Sequence, residues 1–571
     1  MMKYAFFSCP QKVLSLGLAG YWLIFMHICW PNHGGSGIYL PYNLLAWCFI
    51  SVIAFIYWLL HPGKLAIILD SNGYLLIAGA AFMTLPILWS PTHETVGYAL
   101  PRMAGLWAGM AFWLTLRQCR FSVSQKHLML YALVAAGVIE SLVVLAELHG
   151  SKAWLPTIWQ QLVEKYGRGG VGVFQQVNVT ASFLAATLAC ALLTLGLRST
   201  TLANARIECF RQCLLAGAIV LISAVLTSLY SRAGWLGGFC VIAAIYYLLT
   251  FSCFRHDARH SGKLIVLTLC GIGIGLLMMK MSVWQALDVH HNSNHQRLLT
   301  LYHTLRYSIL HPFLGYGAGT YEGYYQAYLA HLPEGNPGLE MMDHPHNELL
   351  YQYAEGGAIA LAGALLWCGL YIRLWLMVTS VIQAGALIAL FPILLHTQVE
   401  YPFYYSAPHW LLFLSLLSLA DRDRQPGMCA PQAGLLSRVV KITMLMLTLY
   451  GGIISYQGYK TSALLDKFEN TELSSPETIL NQKMPWVFQQ RQKRDLTLLR
   501  LITFRSNHDR HSLLLFLQEN KKWLSVYASS DMYNNQIAVL NYLGEKEKAQ
   551  RYKIEAQNTL PWEKSLKPDS T

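Results

Sequence analysis

Charge is what this chain has least of. Only 13% of its 571 residues are Asp, Glu, Lys or Arg, against about 25% in soluble domains. That composition cannot clothe a soluble exterior, and the chain reads as an all-α polytopic membrane protein. Its twelve cysteines form no Cys-x-x-Cys pair, and none falls within 284–346 or after Tyr456. No disulfide framework is expected; the thiols read as apolar packing residues. No cleavable leader is expected either, because the first apolar run is too long and lacks a small-residue cleavage site; it reads as the first span. Gly315-Tyr316-Gly317-Ala318-Gly319 is glycine-rich but has no βαβ context, so no dinucleotide site is expected. The net charge of +12 comes mostly from short loops between apolar runs and implies no nucleic-acid partner.

What is abundant is apolar sequence in runs of spanning length, about 20 residues each. They are Val13–Trp30, Tyr42–Leu60, Gly73–Trp89, Met103–Leu116, Leu128–Ala146, Val179–Leu197 and Leu214–Tyr230. The series continues with Ala233–Phe254, Leu264–Val283, Leu349–Ile372, Leu374–Leu395, Tyr404–Ala420 and Ile442–Tyr456. The hydropathy criterion thus predicts roughly thirteen transmembrane helices. Lys and Arg concentrate in alternate loops, including Arg117, Arg120, Lys126, Arg198, Arg206, Arg211 and Arg373. The turns at Pro31–Pro41, Ser90–Gly97 and Thr397–Phe403 contain neither. With the N-terminus inside, those turns face outward, and an odd number of spans leaves the C-terminal tail outside.

Two domains are expected: a transmembrane body, 1–456, including an external loop at 284–348, and an external tail, 457–571. In the tail, charge rises and long apolar runs stop. Asn534–Leu543 and Glu545–Gln557, parted by Gly544 and stopped by Pro561, read as one tetratricopeptide-like helix pair. No second copy is visible at the expected period, so a small helical domain is expected.

Chemistry concentrates at His344-Pro345-His346-Asn347-Glu348, where the external loop meets the next span. Imidazole titrates near neutral pH, so His346 is a candidate general base for a hydroxyl acceptor. Asn347 and Glu348 are placed to cap the helix that follows. A metal held by His344 and His346 with Asp343 or Glu348 is the weaker reading, because no further ligand cluster is evident. Arg168, Arg232, Arg297 and Arg306 stand on a face that otherwise avoids cations. Arg232, in Ser231-Arg232-Ala233-Gly234, suits a bidentate grip on phosphate; snorkelling to headgroups is the bland alternative. Gln175-Gln176-Val177-Asn178 begins a span with amides that suit sugar hydroxyls or phosphate oxygens. Glu400-Tyr401-Pro402-Phe403-Tyr404-Tyr405 reads as an aromatic belt or as a sugar-stacking turn. Glu140 is an intramembrane carboxylate with no evident partner in sequence.

Taken together, Arg297 through His311-Pro312-Phe313-Leu314-Gly315-Tyr316-Gly317, then His344-Pro345-His346-Asn347-Glu348-Leu349 and Gly356-Gly357, resemble the region shared by O-antigen ligases and polymerases. The blocks Phe174–Phe183 and Val399–Tyr405, with a helical tail after the last span, resemble bacterial protein O-oligosaccharyltransferases of the pilin-glycosylation type. The resemblance covers essentially the whole chain. It implies a metal-independent, GT-C-like enzyme without cofactor, in a bacterial inner membrane with its site facing the periplasm. Such an enzyme moves a preassembled glycan from undecaprenyl diphosphate to a Ser or Thr hydroxyl of an acceptor protein. His346, Gln176 and Tyr405 match the family's essential residues best, with His344 and Gln175 beside them; Arg232 and Arg297 match its interfacial arginines. Asn178, Asn347 and Glu400 stand with them as expected substrate contacts. An O-antigen ligase acting on lipid A-core, a glycan polymerase, and a flippase holding the same lipid without catalysis are the competing readings.

Overall fold

The computed structural model describes residues 10–28, 37, 40–62, 67–119, 121–151, 153, 157, 160–161, 171–259, 261–279, 291–421, 434–470, 480 and 483–566. Arg168, Arg120 and most of the turn at 31–41 lie outside the described residues, as do 284–290 at the start of the external loop. In chain order the helices are α1 (Pro10–Leu23), α2 (Pro41–Leu60), α3 (Ser71–Thr84), α4 (His93–Gln118), α5 (Val123–His149), α6 (Val177–Gly196) and α7 (Ala205–Ser228). Next come α8 (Arg232–Thr250), α9 (Ser261–Met278), α10 (His291–Ile309), α11 (Tyr321–Ala330), α12 (Glu348–Leu376), α13 (Val381–His396) and α14 (Ala407–Ala420). The long α15 (Leu435–Asn470) leads to α16 (Gln489–Asn507), α17 (Arg510–Leu524), α18 (Ser530–Tyr542) and α19 (Lys546–Thr559). Among the described residues the only β feature is an isolated bridge, Leu197 to Ala258. The protein is an all-α polytopic membrane protein.

Each apolar run of the sequence falls on a helix. Among the described residues nine helices are long and apolar enough to cross a membrane, α3 counting with its 3-10 extension to Trp89, and α13 and α14 are shorter apolar helices. The other two runs fall on α1, which has 14 residues, and on α4, which carries Glu94, Pro101 and Arg117.

The chain divides into two compact units. The first comprises Met1–Leu75, Trp107–Asp288 and Cys368–Tyr459. Its centre is α6, buried at every residue but Asn178, with α5, α8 and α13 packed around it. Small residues permit this: Ala, Ser, Thr and Gly recur through Val177–Gly196 and let neighbouring backbones come close where lipid supplies no hydrophobic drive.

The second unit comprises Leu76–Leu106, Val289–Trp367 and Lys460–Thr571. It therefore joins the external loop and the tail in one body. Its scaffold depends on a break in α12, where Gly357 takes φ 56°, ψ −152°. A break frees carbonyls and amides that must pair elsewhere. Here Tyr316 N–H donates to Ala354 O (3.2 Å), Gly317 N–H to Glu355 O (2.8 Å) and Ala358 N–H to Pro312 O (2.8 Å). The glycine-rich Gly315–Gly319 segment is thus main chain pressed on main chain. A Cβ at Gly357 would run into the Phe313 carbonyl, and one at Gly315 would sit 2.5 Å from the Glu355 carbonyl carbon.

The tail holds two helix pairs, α16 with α17 and α18 with α19. The second is the pair expected from sequence, with Gly544 at φ +81° in the turn. The first was hidden because its turn, Asn507–Asp509, has no glycine; His508 adopts the left-handed conformation instead (φ 55°). The tail docks on the external loop through main-chain contacts: Asn336 Nδ2 donates to Thr559 O at 2.8 Å, and Ala528 N–H to Glu322 Oε1 at 3.1 Å.

Candidate active site

Among the described residues four non-glycine residues have positive φ: Gln175 (58°), Tyr230 (57°), His346 (55°) and His508 (55°). Left-handed backbone costs an ordinary L-residue about 1–2 kcal/mol, and such outliers concentrate at functional sites. Three of these residues stand immediately before a capping residue of a membrane helix: Gln176 on α6, Ser231 on α8 and Asn347 on α12. Gln175 and His346 fall in segments singled out from the sequence, and Tyr230 directly precedes a third.

In the first unit, Gln176 spends its side-chain oxygen on the helix, accepting from Val179 N–H at 2.7 Å. Ser231 caps α8, its Oγ accepting from Gly234 N–H (3.1 Å) and donating to Asn178 Oδ1 (2.8 Å). That contact ties the Gln175–Asn178 segment to Arg232, the half-buried first residue of α8. The Tyr405 hydroxyl reaches Gln175 O at 3.4 Å. Its turn is held from α2, where Tyr42 OH (3.0 Å) and Asn43 Nδ2 (2.8 Å) both donate to Tyr405 O. Glu400 is buried at the other end of that turn, its N–H bonded to His396 O at 2.9 Å. Gln175, Gln176, Asn178, Arg232, Tyr405 and Glu400 are thus connected, directly or through one residue or turn.

Glu140 has main-chain partners, which explains why none was evident in sequence. Its Oε1 accepts from Val173 N–H (3.1 Å), while Glu147 Oε2 accepts from Gly172 N–H (3.1 Å). The two carboxylates hold the turn that leads into Gln175. Below it, Ser182 Oγ lies 2.8 Å from His396 Nδ1 and 3.2 Å from His409 Nε2, and His409 Nδ1 lies 2.9 Å from Ser406 Oγ. This buried network links α6, α13 and α14 beneath the Gln176 and Tyr405 turns. Sequence reasoning passed over it and over Asn43; the available signal was a polar side chain inside an apolar run.

In the second unit, the His344 and His346 rings lie 4.5 Å apart, and His344 Nδ1 is paired with the Asp343 carboxylate. Burial pushes the Asp343 carboxyl up, but the facing His344 and His346 imidazoles outweigh it and hold it below the usual carboxylate range. Asn347 Oδ1 accepts from Leu350 N–H at 2.9 Å, and Glu348 Oε1 from Gln352 Nε2 at 2.8 Å. Asn347 thus caps α12 as expected, whereas this Glu348 contact is to a side chain of the helix itself and not a cap. Arg297 is half-buried on α10, next to Gln296, whose Oε1 accepts from Leu339 N–H (2.7 Å) in the segment leading to His344.

Arg102 was missed. It pairs with the Glu355 carboxylate and the Tyr351 hydroxyl, with its guanidinium carbon 4.7 Å from the Tyr351 ring centre. Glu355 Oε1 in turn accepts from Gly319 N–H at 2.9 Å and Tyr321 N–H at 3.4 Å. The first turns of α12, which follow His346, are therefore clamped from α4 and from the glycine-rich segment together. An arginine directly after Pro101, inside an otherwise apolar stretch, was the signal.

Known families cover both halves of this description. Residues 217–365 match the family described as O-antigen ligase, a stretch that contains Arg232, Arg297 and His344–Glu348. Residues 385–566 match the family described as virulence factor membrane-bound polymerase, C-terminal, which takes in the Glu400–Tyr405 turn and the tail. No curated protein matches the chain. The two matches support the O-antigen ligase and polymerase superfamily and a multi-pass membrane enzyme of glycosyltransferase type.

Proposed function

We propose that the chain is a protein O-oligosaccharyltransferase. It transfers a preassembled glycan en bloc from undecaprenyl diphosphate to a Ser or Thr hydroxyl of a periplasmic or pilin-like protein. The observation that carries this reading is the strained His346, held beside the His344–Asp343 pair where α12 begins. His346 takes the proton of the acceptor hydroxyl as its oxygen attacks the anomeric carbon. The bond from that carbon to the diphosphate oxygen breaks, and undecaprenyl diphosphate leaves. A single displacement inverts the anomeric centre. His344, oriented by Asp343, positions His346. Arg232 and Arg297 supply positive charge for the leaving diphosphate. Gln175, Gln176, Asn178, Asn347, Glu400 and Tyr405 serve as polar and aromatic contacts for substrate. The architecture is read as GT-C-like, in an inner membrane with the site on the periplasmic side.

The second reading is transfer to lipid A-core, favoured by the O-antigen ligase match over 217–365. Co-expression with a pilin-like acceptor and an undecaprenyl-linked glycan separates the two. Under the first reading, intact mass shows a glycan-sized gain on the acceptor that His346→Ala abolishes. Glycan appearing on lipid A-core alone moves the chain to the ligase reading. A gain on the acceptor that survives His346→Ala removes His346 as the base and turns attention to His344.

A further inference from the structure

Helix α10 is amphipathic in the inverted sense. A surface helix in water turns its apolar stripe inward. Here Gln296, Thr300, Thr304 and Ser308, one turn apart, are buried; the Ser308 hydroxyl donates to Thr304 O within the helix, and the other three residues bond to the segment that follows. Gln296 accepts from Leu339 N–H, Tyr325 OH donates to Thr300 O (3.4 Å), and Thr304 and Tyr321 share a 2.6 Å hydroxyl–hydroxyl bond. The opposite stripe is Leu298, Tyr302, Leu305 and Ile309, all exposed, and it runs on into Phe313, which is 76% exposed.

Two contacts fix the depth of that stripe. Leu314 O accepts from Trp89 Nε1–H at 2.8 Å, and Trp89 ends the candidate span Ser71–Trp89. Pro312 O accepts from Ala358 N–H at 2.8 Å, just past the break in the candidate span Glu348–Leu376. The apolar stripe is therefore joined to the end of one candidate span and to the internal break of another. Its charge suits a bilayer as well: His291–Thr320 contains Arg297, Arg306 and four histidines but no Asp or Glu. The Arg306 guanidinium stands 5.7 Å from the Tyr302 ring centre, the arrangement of a cation snorkelling past an interfacial aromatic.

We propose that α10 and the Pro312–Leu314 turn lie in the membrane–water interface on the side where α12 begins. The apolar stripe is sunk among acyl chains, and the basic residues stand at the level of anionic phospholipid headgroups. The polar face then carries the His344–His346 loop, through Gln296 and Leu339, at headgroup level. On the glycosyl-transfer reading, that is the level at which a lipid-borne diphosphate presents its sugar.

The test uses the full chain in vesicles of phosphatidylethanolamine and phosphatidylglycerol, with the photoreactive residue p-benzoylphenylalanine in place of Tyr302 or Phe313. Both positions are exposed aromatics, so folding is preserved. Tyr542, 66% exposed on the tail, serves as the water-facing control. After illumination, a lipid-mass adduct is expected at 302 and at 313 and none at 542. No adduct at 302 and 313 overturns the proposal, as does a chain-to-chain crosslink in place of lipid. The readout needs no turnover, so its failure would leave the glycosyl-transfer reading untouched, and an inactive enzyme would leave this proposal untouched.

Discussion

The Ser231 hydroxyl donates to Asn178 Oδ1 at 2.8 Å while capping α8. One oxygen thereby couples the amide-rich start of α6 to the position of Arg232. Removing it has two separable consequences. Ser231→Ala costs about 1 kcal/mol of helix capping. By displacing Arg232, it lowers kcat/KM for the lipid-linked donor by about tenfold to a hundredfold. Asn178→Ala, which spares the cap, gives the kinetic loss with little change in Tm. Steady-state kinetics beside thermal unfolding checks both; equal losses of Tm in the two variants would sink the coupling.

At the imidazole pair, His346→Ala removes the proposed base and lowers kcat by about 10²–10⁴-fold. Asp343→Asn leaves the His346 ring in place but takes the carboxylate from His344. A smaller loss is expected, with a displaced acidic limb in the pH–rate profile of kcat/KM. Should Asp343→Asn leave that profile unmoved, the positioning role of the His344–Asp343 pair is wrong.

The half-buried Arg102 pairs with the buried Glu355, whose carboxylate also holds Gly319 and Tyr321 N–H groups. Arg102→Ala leaves that carboxylate without its guanidinium, and loss of one partner of such a pair costs about 3–5 kcal/mol. Arg102→Lys is not expected to rescue, because one ammonium cannot serve both Glu355 and the face and hydroxyl of Tyr351. Thermal unfolding in nanodiscs would read this as a large loss of Tm in both variants.

Glu322 sets a pH dependence outside the spans. Burial and the facing Asp343 charge push its carboxyl up to about 8, against the N–H of Ala528 and the hydroxyl of Tyr98. Since its value in the folded protein lies above its ordinary one, the folded state binds the extra proton. The contribution to stability is complete below the ordinary carboxylate range and is lost as pH rises toward 8, with a slope of up to about 1.4 kcal/mol per pH unit. Hydrogen exchange at Val526–Ala528, followed from pH 6 to pH 9 (about one unit past the titration), should accelerate in the wild type by more than the base-catalysed rise of amide exchange alone gives. In Glu322→Gln the excess should vanish.

Much of this was legible in the chain. Apolar runs of spanning length become helices wherever they meet lipid, because a backbone without water must bond to itself; α2, α5 and α6 follow the sequence to within a few residues. The capping roles of Gln176 and Asn347 were readable because a polar residue before an apolar run has one nearby use. The α16–α17 pair escaped because its turn is made by His508 rather than glycine. Arg102 and the partner of Glu140 escaped for another reason. Arg102 meets Glu355 across 253 positions, and Glu140 meets the Val173 main chain across 33.

The sequence by itself determined an all-α membrane protein and the segments that carry its polar chemistry, since each depends on composition or periodicity along a few neighbouring turns. Only the tertiary structure decided that Asn178 receives Ser231, that Arg102 clamps the start of α12, and that His346 is held left-handed beside a carboxylate-paired histidine. Those outcomes depend on which helices pack and where their backbones break. Local propensity carries no information about a partner hundreds of residues away.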